Sequence, residues 1–158
     1  MRGKQAPKRK IQPDAQYNSV LIAKFINYVM QDGKKNTAEN AVYGALTMVA
    51  EKTKKDALEV FDAAVKNVAP LLEVRGRRIG GANYQIPYPV RGDRKYSLAF
   101  RWLIAAAKAR KGMPMKKCLA FELIDAYNKE GAAVKKRDEA HRMAEANKAF
   151  AHFARFAR

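Results

Sequence analysis

Pro87 and Pro89 stand two residues apart in a stretch, Tyr84 to Val90, whose Tyr, Ile and Val content otherwise reads as a β-strand. Proline has no N–H to give to a ladder, and two prolines at strand spacing remove donors from the same edge. Any sheet formed here stops at that edge. The partner strand is Glu73 to Ile79, and Gly80-Gly81-Ala82-Asn83 between the two marks a β-hairpin. A two-stranded ribbon closed on one side is marginal alone in water. The hydrophobic core must therefore be helical, with the ribbon projecting from it as an arm.

The rest of the chain carries the helical period. Ile22, Ile26 and Met30 recur at i+4 beside Leu21, Phe25 and Val29, and Asp32-Gly33 ends this first helix. Asn36 or Thr37 is placed to cap a second, whose inward side is Ala41, Val42, Ala45, Leu46 and Val49. Asp56 with Glu59 resembles a capping box opening a third helix, with Leu58, Phe61, Val65 and Val68 inside and Pro70 beyond its end. A fourth, over 94–111, is capped by Asp93 and closed by Gly112. It is apolar on more than one side (Leu98, Phe100, Trp102, Leu103, Ile104) and so belongs at the centre. Pro114 opens a fifth, with Leu119, Phe121, Leu123, Ile124 and Tyr127, which Gly131 ends. A sixth starts near Ala133, is mostly charged, and runs into Phe150, Phe153 and Phe156. The expected fold class is mainly α. About six helices form one domain at 17–149, which includes the protruding two-stranded β-hairpin at 73–90. A basic N-terminal extension at 1–16 and a C-terminal tail at 150–158 flank it. A chain of 158 residues suits one such domain.

Charge then says what the domain faces. Lys and Arg number 32 against 15 Asp and Glu, a formal net charge of +17, with 48% apolar residues, so the chain folds and meets an anion. No acid lies between Asp93 and Glu122, while Arg94, Lys95, Arg101, Lys108, Arg110, Lys111, Lys116 and Lys117 all do. A lone lysine is a solvated surface residue, but a whole acid-free stretch is an electrostatic stripe able to displace counterions from a nucleic-acid backbone. The hairpin adds Arg75, Arg77 and Arg78. A loop with an even number of residues puts Arg75, Arg77 and Ile79 on one face with Tyr84, Ile86 and Tyr88, a face that grips phosphates and stacks on bases. An odd loop puts Val74, Gly76 and Arg78 there instead. In the bland alternative the tyrosines and Ile86 simply pack on the helices.

Catalytic chemistry is missing. His141 and His152 have no cysteine or carboxylate set at zinc spacing, so no metal is expected, and both read as surface or tail residues. Cys118 sits inside a helix pattern with no nearby histidine and reads as a packing residue. Gly76, Gly80 and Gly81 are followed by no Gly-Lys-Ser/Thr, and Gly33-Lys34-Lys35 is no Walker motif, although lysines beside a helix start suit a phosphate. Glu122 with Asp125 reads as an ordinary exposed helix pair. No enzyme, cofactor or small-molecule substrate is expected. The longest apolar run, Trp102 to Ala107, is too short for a bilayer, and the single cysteine points to no oxidising compartment, which places the protein in the cytosol.

Several runs are specific to a family. Tyr17-Asn18-Ser19, Asp32-Gly33-Lys34-Lys35, the hairpin from Glu73-Val74-Arg75-Gly76-Arg77-Arg78 through Ile79-Gly80-Gly81-Ala82-Asn83-Tyr84-Gln85-Ile86-Pro87, Arg101-Trp102-Leu103, and Lys135-Lys136-Arg137 leading to His141-Arg142-Met143-Ala144-Glu145-Ala146-Asn147-Lys148-Ala149-Phe150 together resemble bacterial small-subunit ribosomal protein seven. The resemblance spans nearly the whole chain. It implies a structural constituent of the small ribosomal subunit in the cytoplasm. Such a protein binds the 3′ major domain of 16S rRNA, helps nucleate assembly of the subunit head, and holds its hairpin near exit-site tRNA and mRNA, among neighbouring small-subunit proteins. Carried over by position, the rRNA contacts are Lys8, Arg9, Lys10, Lys34, Lys35, Arg75, Arg77, Arg78, Arg94, Arg101 and Lys116. Gly81, Ala82, Asn83 and Tyr84 are the tRNA- or mRNA-proximal set. Gly76 stands where the family usually has serine, which removes a hydroxyl contact there.

The implied mechanism is binding without catalysis: cations neutralise phosphates at an RNA junction while helices fix where those cations stand. The rivals are a DNA-compacting module, because backbone electrostatics alone does not separate DNA from RNA, a peripheral membrane binder, which the weak apolar stripe of the sixth helix argues against, and an RNA-modifying enzyme, for which no catalytic constellation is visible.

Overall fold

A computed structural model of the chain describes Gly3, Ala6, Pro7 and residues 9–156, with side chains through Phe153. Among the described residues six α-helices form the body: α1 (Val20–Val29), α2 (Lys35–Thr53), α3 (Ala57–Val68), α4 (Asp93–Ala109), α5 (Met115–Tyr127) and α6 (Gly131–Ala146). An antiparallel hairpin of β1 (Leu72–Ile79) and β2 (Ala82–Pro89) lies between α3 and α4, and a 3-10 helix spans Lys148–Phe156. The fold is thus the expected mainly helical one with a two-stranded hairpin. None of the described helices is long and apolar enough to cross a membrane.

The core forms where α1, α3 and α4 meet. Ile22, Phe25, Ile26 and Val29 fall at i, i+3, i+4 and i+7 and give α1 one buried stripe. Phe25 meets Phe61 of α3 and Phe100 of α4 with ring centroids 5.3 and 5.2 Å apart, and all three rings are fully buried. Burying one such ring stabilises the fold by about 1.5–3 kcal/mol. Tyr28 meets Phe100 edge-on at 5.5 Å, and its hydroxyl hydrogen-bonds Ser97 Oγ. α5 packs against α2, α3 and α4 through Leu119, Leu123 and Ala126, so it shares the central position expected of α4. Side by side, α2 and α5 run in the same direction: Met115 lies by Ala41, the Lys116 stem by Gly44, Lys52 Nζ 3.8 Å from the Phe121 ring centroid, and Lys55 Nζ donates to Tyr127 Oη at 2.7 Å.

Helix ends follow the pattern with three corrections. α2 starts at Lys35 with Lys34 at the cap position, so Asn36 and Thr37 lie in its first turn and cap nothing. Asp93 is the first residue of α4 and the cap falls on Gly92, while the Asp93 carboxylate accepts from Lys24 Nζ of α1 at 3.1 Å. Gly131 opens α6; α5 has already ended at Tyr127. Its φ of +91° and its surroundings both require glycine there, since a Cβ would stand 3.0 Å from Asp125 Cβ and 3.1 Å from Glu122 Oε1. Asp56 does cap α3, accepting from the Leu58 N–H at 3.4 Å.

The basic N-terminal segment is tied down at its inner end. Asp14 is buried and accepts from the Gln16 and Tyr17 N–H groups at 3.1 and 2.9 Å through Oδ2, and from the Tyr43 hydroxyl of α2 through Oδ1. Burial, then the hydrogen bond and charge of Asp14, hold the Tyr43 phenol above its ordinary range.

Candidate nucleic-acid interface

The hairpin register pairs Arg77 with Tyr84, Arg75 with Ile86 and Glu73 with Tyr88, closed by the two-residue turn Gly80-Gly81. Both turn residues have positive φ, +56° and +92°, the signature of a type I′ turn that matches strand twist and that glycine adopts without strain. The loop is even, so Arg75 and Arg77 share a face with Tyr84, Ile86 and Tyr88, and Arg78 stands on the other. That face does not present its rings to solvent: Ile86 is fully buried, and Tyr84 lies 5.3 and 5.4 Å from the Phe150 and Phe153 rings of the 3-10 helix. Packing on the helices, the bland alternative, is what these apolar side chains do. The segment expected as a tail supplies the cover, and the i, i+3 spacing of Phe150 and Phe153 was its sequence signal. His141 of α6 also belongs to this junction, accepting from the Leu71 N–H at 3.0 Å.

One carboxylate organises the base of the hairpin. Glu73, buried at 9% exposure, accepts through Oε1 from Arg75 Nε at 2.7 Å and also from Arg75 Nη2. Through Oε2 it accepts from Arg94 Nε and Nη2 at 3.2 and 3.1 Å. Burial alone raises a carboxyl, but the two arginines outweigh it and hold Glu73 below its ordinary range. The Arg75 guanidinium also stands over the Tyr88 ring, 5.6 Å from its centroid. Glu73 was not among the expected site residues, although an acid two residues before an arginine in a strand shares its face.

From Arg94 the cations continue along α4. Arg94, Arg101 and Lys108 recur every seven residues, a row with steps of about 10 Å, and all three are exposed. Arg77, Arg78, Arg101, Lys108, Lys34, Lys111, Lys116 and Lys117 form no ion pair among the described residues. Lys35 pairs loosely with Glu39 at 3.7 Å. Because α2 and α5 are parallel, their positive dipole ends lie together, and each carries lysines and no acid in its first turn. A cation at that end costs a helix about 0.3–1 kcal/mol, which a polyanion would reverse. Arg9 and Lys10 are exposed on the N-terminal segment, and Lys8 lies outside the described residues. Gly81, Ala82 and Asn83 are exposed at the hairpin tip, with Tyr84 half-buried behind them.

Two expectations about the acid-free stretch are overturned. Arg110 is no part of an RNA-facing stripe, and Glu122 with Asp125 is no exposed pair. Glu122 is fully buried and accepts from Arg110 Nε and Nη2 at 3.0 and 2.6 Å and from the Ala133 N–H at 3.0 Å, while Asp125 takes a further bond from Arg110 Nη2. Desolvation works against the Arg110 charge, yet both carboxylates outweigh it and hold the guanidinium more firmly protonated. Cys118 is buried as read, its Sγ near the Arg110 and Met113 carbonyl oxygens at 3.6 and 3.5 Å.

Residues 1–148 match the family described as Ribosomal protein S7p/S5e. The chain belongs to that family. Its curated relatives are named Small ribosomal subunit protein uS7. That of Dictyoglomus turgidum is 62% identical over 145 residues, covering 92% of this chain and 93% of the relative. That of Thermotoga petrophila is 59% identical over 153 residues, covering 97% and 99%. Membership of the S7p/S5e family makes this a structural ribosomal protein and not an enzyme, as the sequence resemblance implied.

Proposed function

We propose that this structural protein of the small ribosomal subunit binds the 3′ major domain of 16S rRNA and helps nucleate assembly of the subunit head in the cytoplasm. Its hairpin tip, Gly81, Ala82, Asn83 and Tyr84, faces exit-site tRNA and mRNA, and neighbouring small-subunit proteins complete its surroundings. The carrying observation is the run of exposed cations without an ion pair among the described residues, from Arg77 and Arg78 through Arg101 and Lys108, and again at Lys34, Lys116 and Lys117, with Arg94 exposed in the same row. Rigid helices and a two-residue turn hold these charges at fixed separations, which is how RNA shape is selected. Arg9 and Lys10, with Lys8 next in sequence, extend the contact, and Lys35 and Arg75 complete it.

A salt titration of binding to a 3′ major-domain fragment, with shuffled structured RNA and duplex DNA as competitors, tests the reading. Tight binding that survives competitor and weakens with a steep log–log salt slope is expected. Equal affinity for all three nucleic acids would replace it with the DNA-compacting alternative.

A further inference from the structure

We propose that Glu73, an acid bonded to two partly exposed arginines, is a positioning residue that makes Arg75 and Arg94 into one pre-set anion clamp. The inference rests on the RNA-binding reading above. Arg75 belongs to the hairpin and Arg94 to α4, 19 residues later, and the two guanidiniums meet because each takes one oxygen of the same carboxylate. Each spends Nε and Nη2 on Glu73 and leaves Nη1 without a partner among the described residues, with side chains 57% and 44% exposed. Tyr88 backs Arg75 from below. The carboxylate is bonded to two guanidiniums, so the cluster keeps a net positive charge toward an incoming phosphate, and it joins the hairpin cations to the α4 row.

The clamp removes a cost from binding. An unrestrained arginine loses rotamer freedom when it grips a phosphate, whereas one already held by Glu73 has lost it on folding. Glu73 thus gives up attraction in exchange for geometry. Charge alone and geometry predict opposite signs for its removal, because Glu73→Gln raises the net positive charge by one.

Affinity for the 3′ major-domain fragment, read over a salt series, separates the two. With positioning, E73Q binds about tenfold more weakly, the effect of releasing two rotamer-rich side chains, and its log–log salt slope falls by about one for each phosphate that is no longer gripped. Glu73→Asp, which keeps the charge but shortens the reach, lies between E73Q and the wild type. In a background carrying R75A and R94A, E73Q no longer weakens binding, and thermal melting run beside each variant reports whether the fold is intact. Unchanged or tighter binding by E73Q, or an undiminished effect in the R75A/R94A background, overturns the proposal. Should E73Q fail to fold, E73D and the R75A/R94A pair carry the comparison, and E73D binding like the wild type overturns it. Failure of the wild type to prefer the fragment over competitor RNA sinks the RNA reading instead and is visible before any variant is made.

Discussion

Two carboxylate–arginine clusters in this protein use the same bonds in inverse proportion. At Glu122 one arginine, Arg110, is shared between two carboxylates, and a backbone N–H takes the remaining oxygen. At Glu73 one carboxylate is shared between two arginines. The first cluster sets two carboxylates against one arginine, is the less exposed of the two and lies between α4, α5 and α6, so its cation is spent on the fold. The second carries surplus positive charge at the rim, with guanidinium donors left over for something else. Whether an arginine is structural or available depends on that proportion and on burial, and not on the residue type.

The largest loss is expected at Glu122. Glu122→Gln leaves Arg110 short of its buried partner and the Ala133 N–H facing a poorer acceptor, so the urea midpoint should fall by the equivalent of about 3 kcal/mol. A loss under about 1 kcal/mol would mean that water already serves this site. Gly131→Ala is next, at about 2 kcal/mol, because it pushes a methyl group toward Glu122 and Asp125 at a φ that alanine resists. Glu73→Gln should lower stability by less than about 1 kcal/mol, since its arginines are half in water. Its signature is in the pH dependence. The Glu73 carboxyl is held below the ordinary value of 4.5, so its contribution is complete above that pH and is lost as pH falls through the lowered native value. Acid titration of E73Q by circular dichroism should lack that increment. Arginine truncations give the finest resolution. Arg77→Ala should leave the melting temperature nearly unchanged and reduce the RNA salt slope by about one, while Arg110→Ala should destabilise the fold and leave the slope alone. An R110A slope that fell like that of R77A would erase the distinction between the clusters.

The parts legible without coordinates are those set by neighbours in sequence. The i, i+3, i+4 recurrence of Ile22, Phe25 and Ile26 needs only helix geometry, and Pro87 with Pro89 limits the sheet through chemistry that each proline carries in itself. The cations of α4 are legible as a group, and Arg101 and Lys108 do stand exposed without an ion pair among the described residues. Arg110 is misread from sequence because its partners are 12 and 15 residues away on another helix, and a count of acids within a window cannot see across a turn. The α2 start is misplaced for a related reason: side-chain caps are visible as residue types, but Lys34 caps through its backbone alone.

Legible along the chain are six helical stretches, one ribbon with a closed edge, a large excess of positive charge, and a family resemblance covering nearly its whole length. Which charges remain for a partner and which rings are covered depends on how the packed elements meet. The packing spends Arg110 on Glu122, sets Arg75 beside Arg94 on Glu73, and covers Tyr84 with Phe150 and Phe153. Periodicity is a property of adjacent residues on one backbone, whereas pairing and burial depend on distances between elements that the chain brings together only when its core closes.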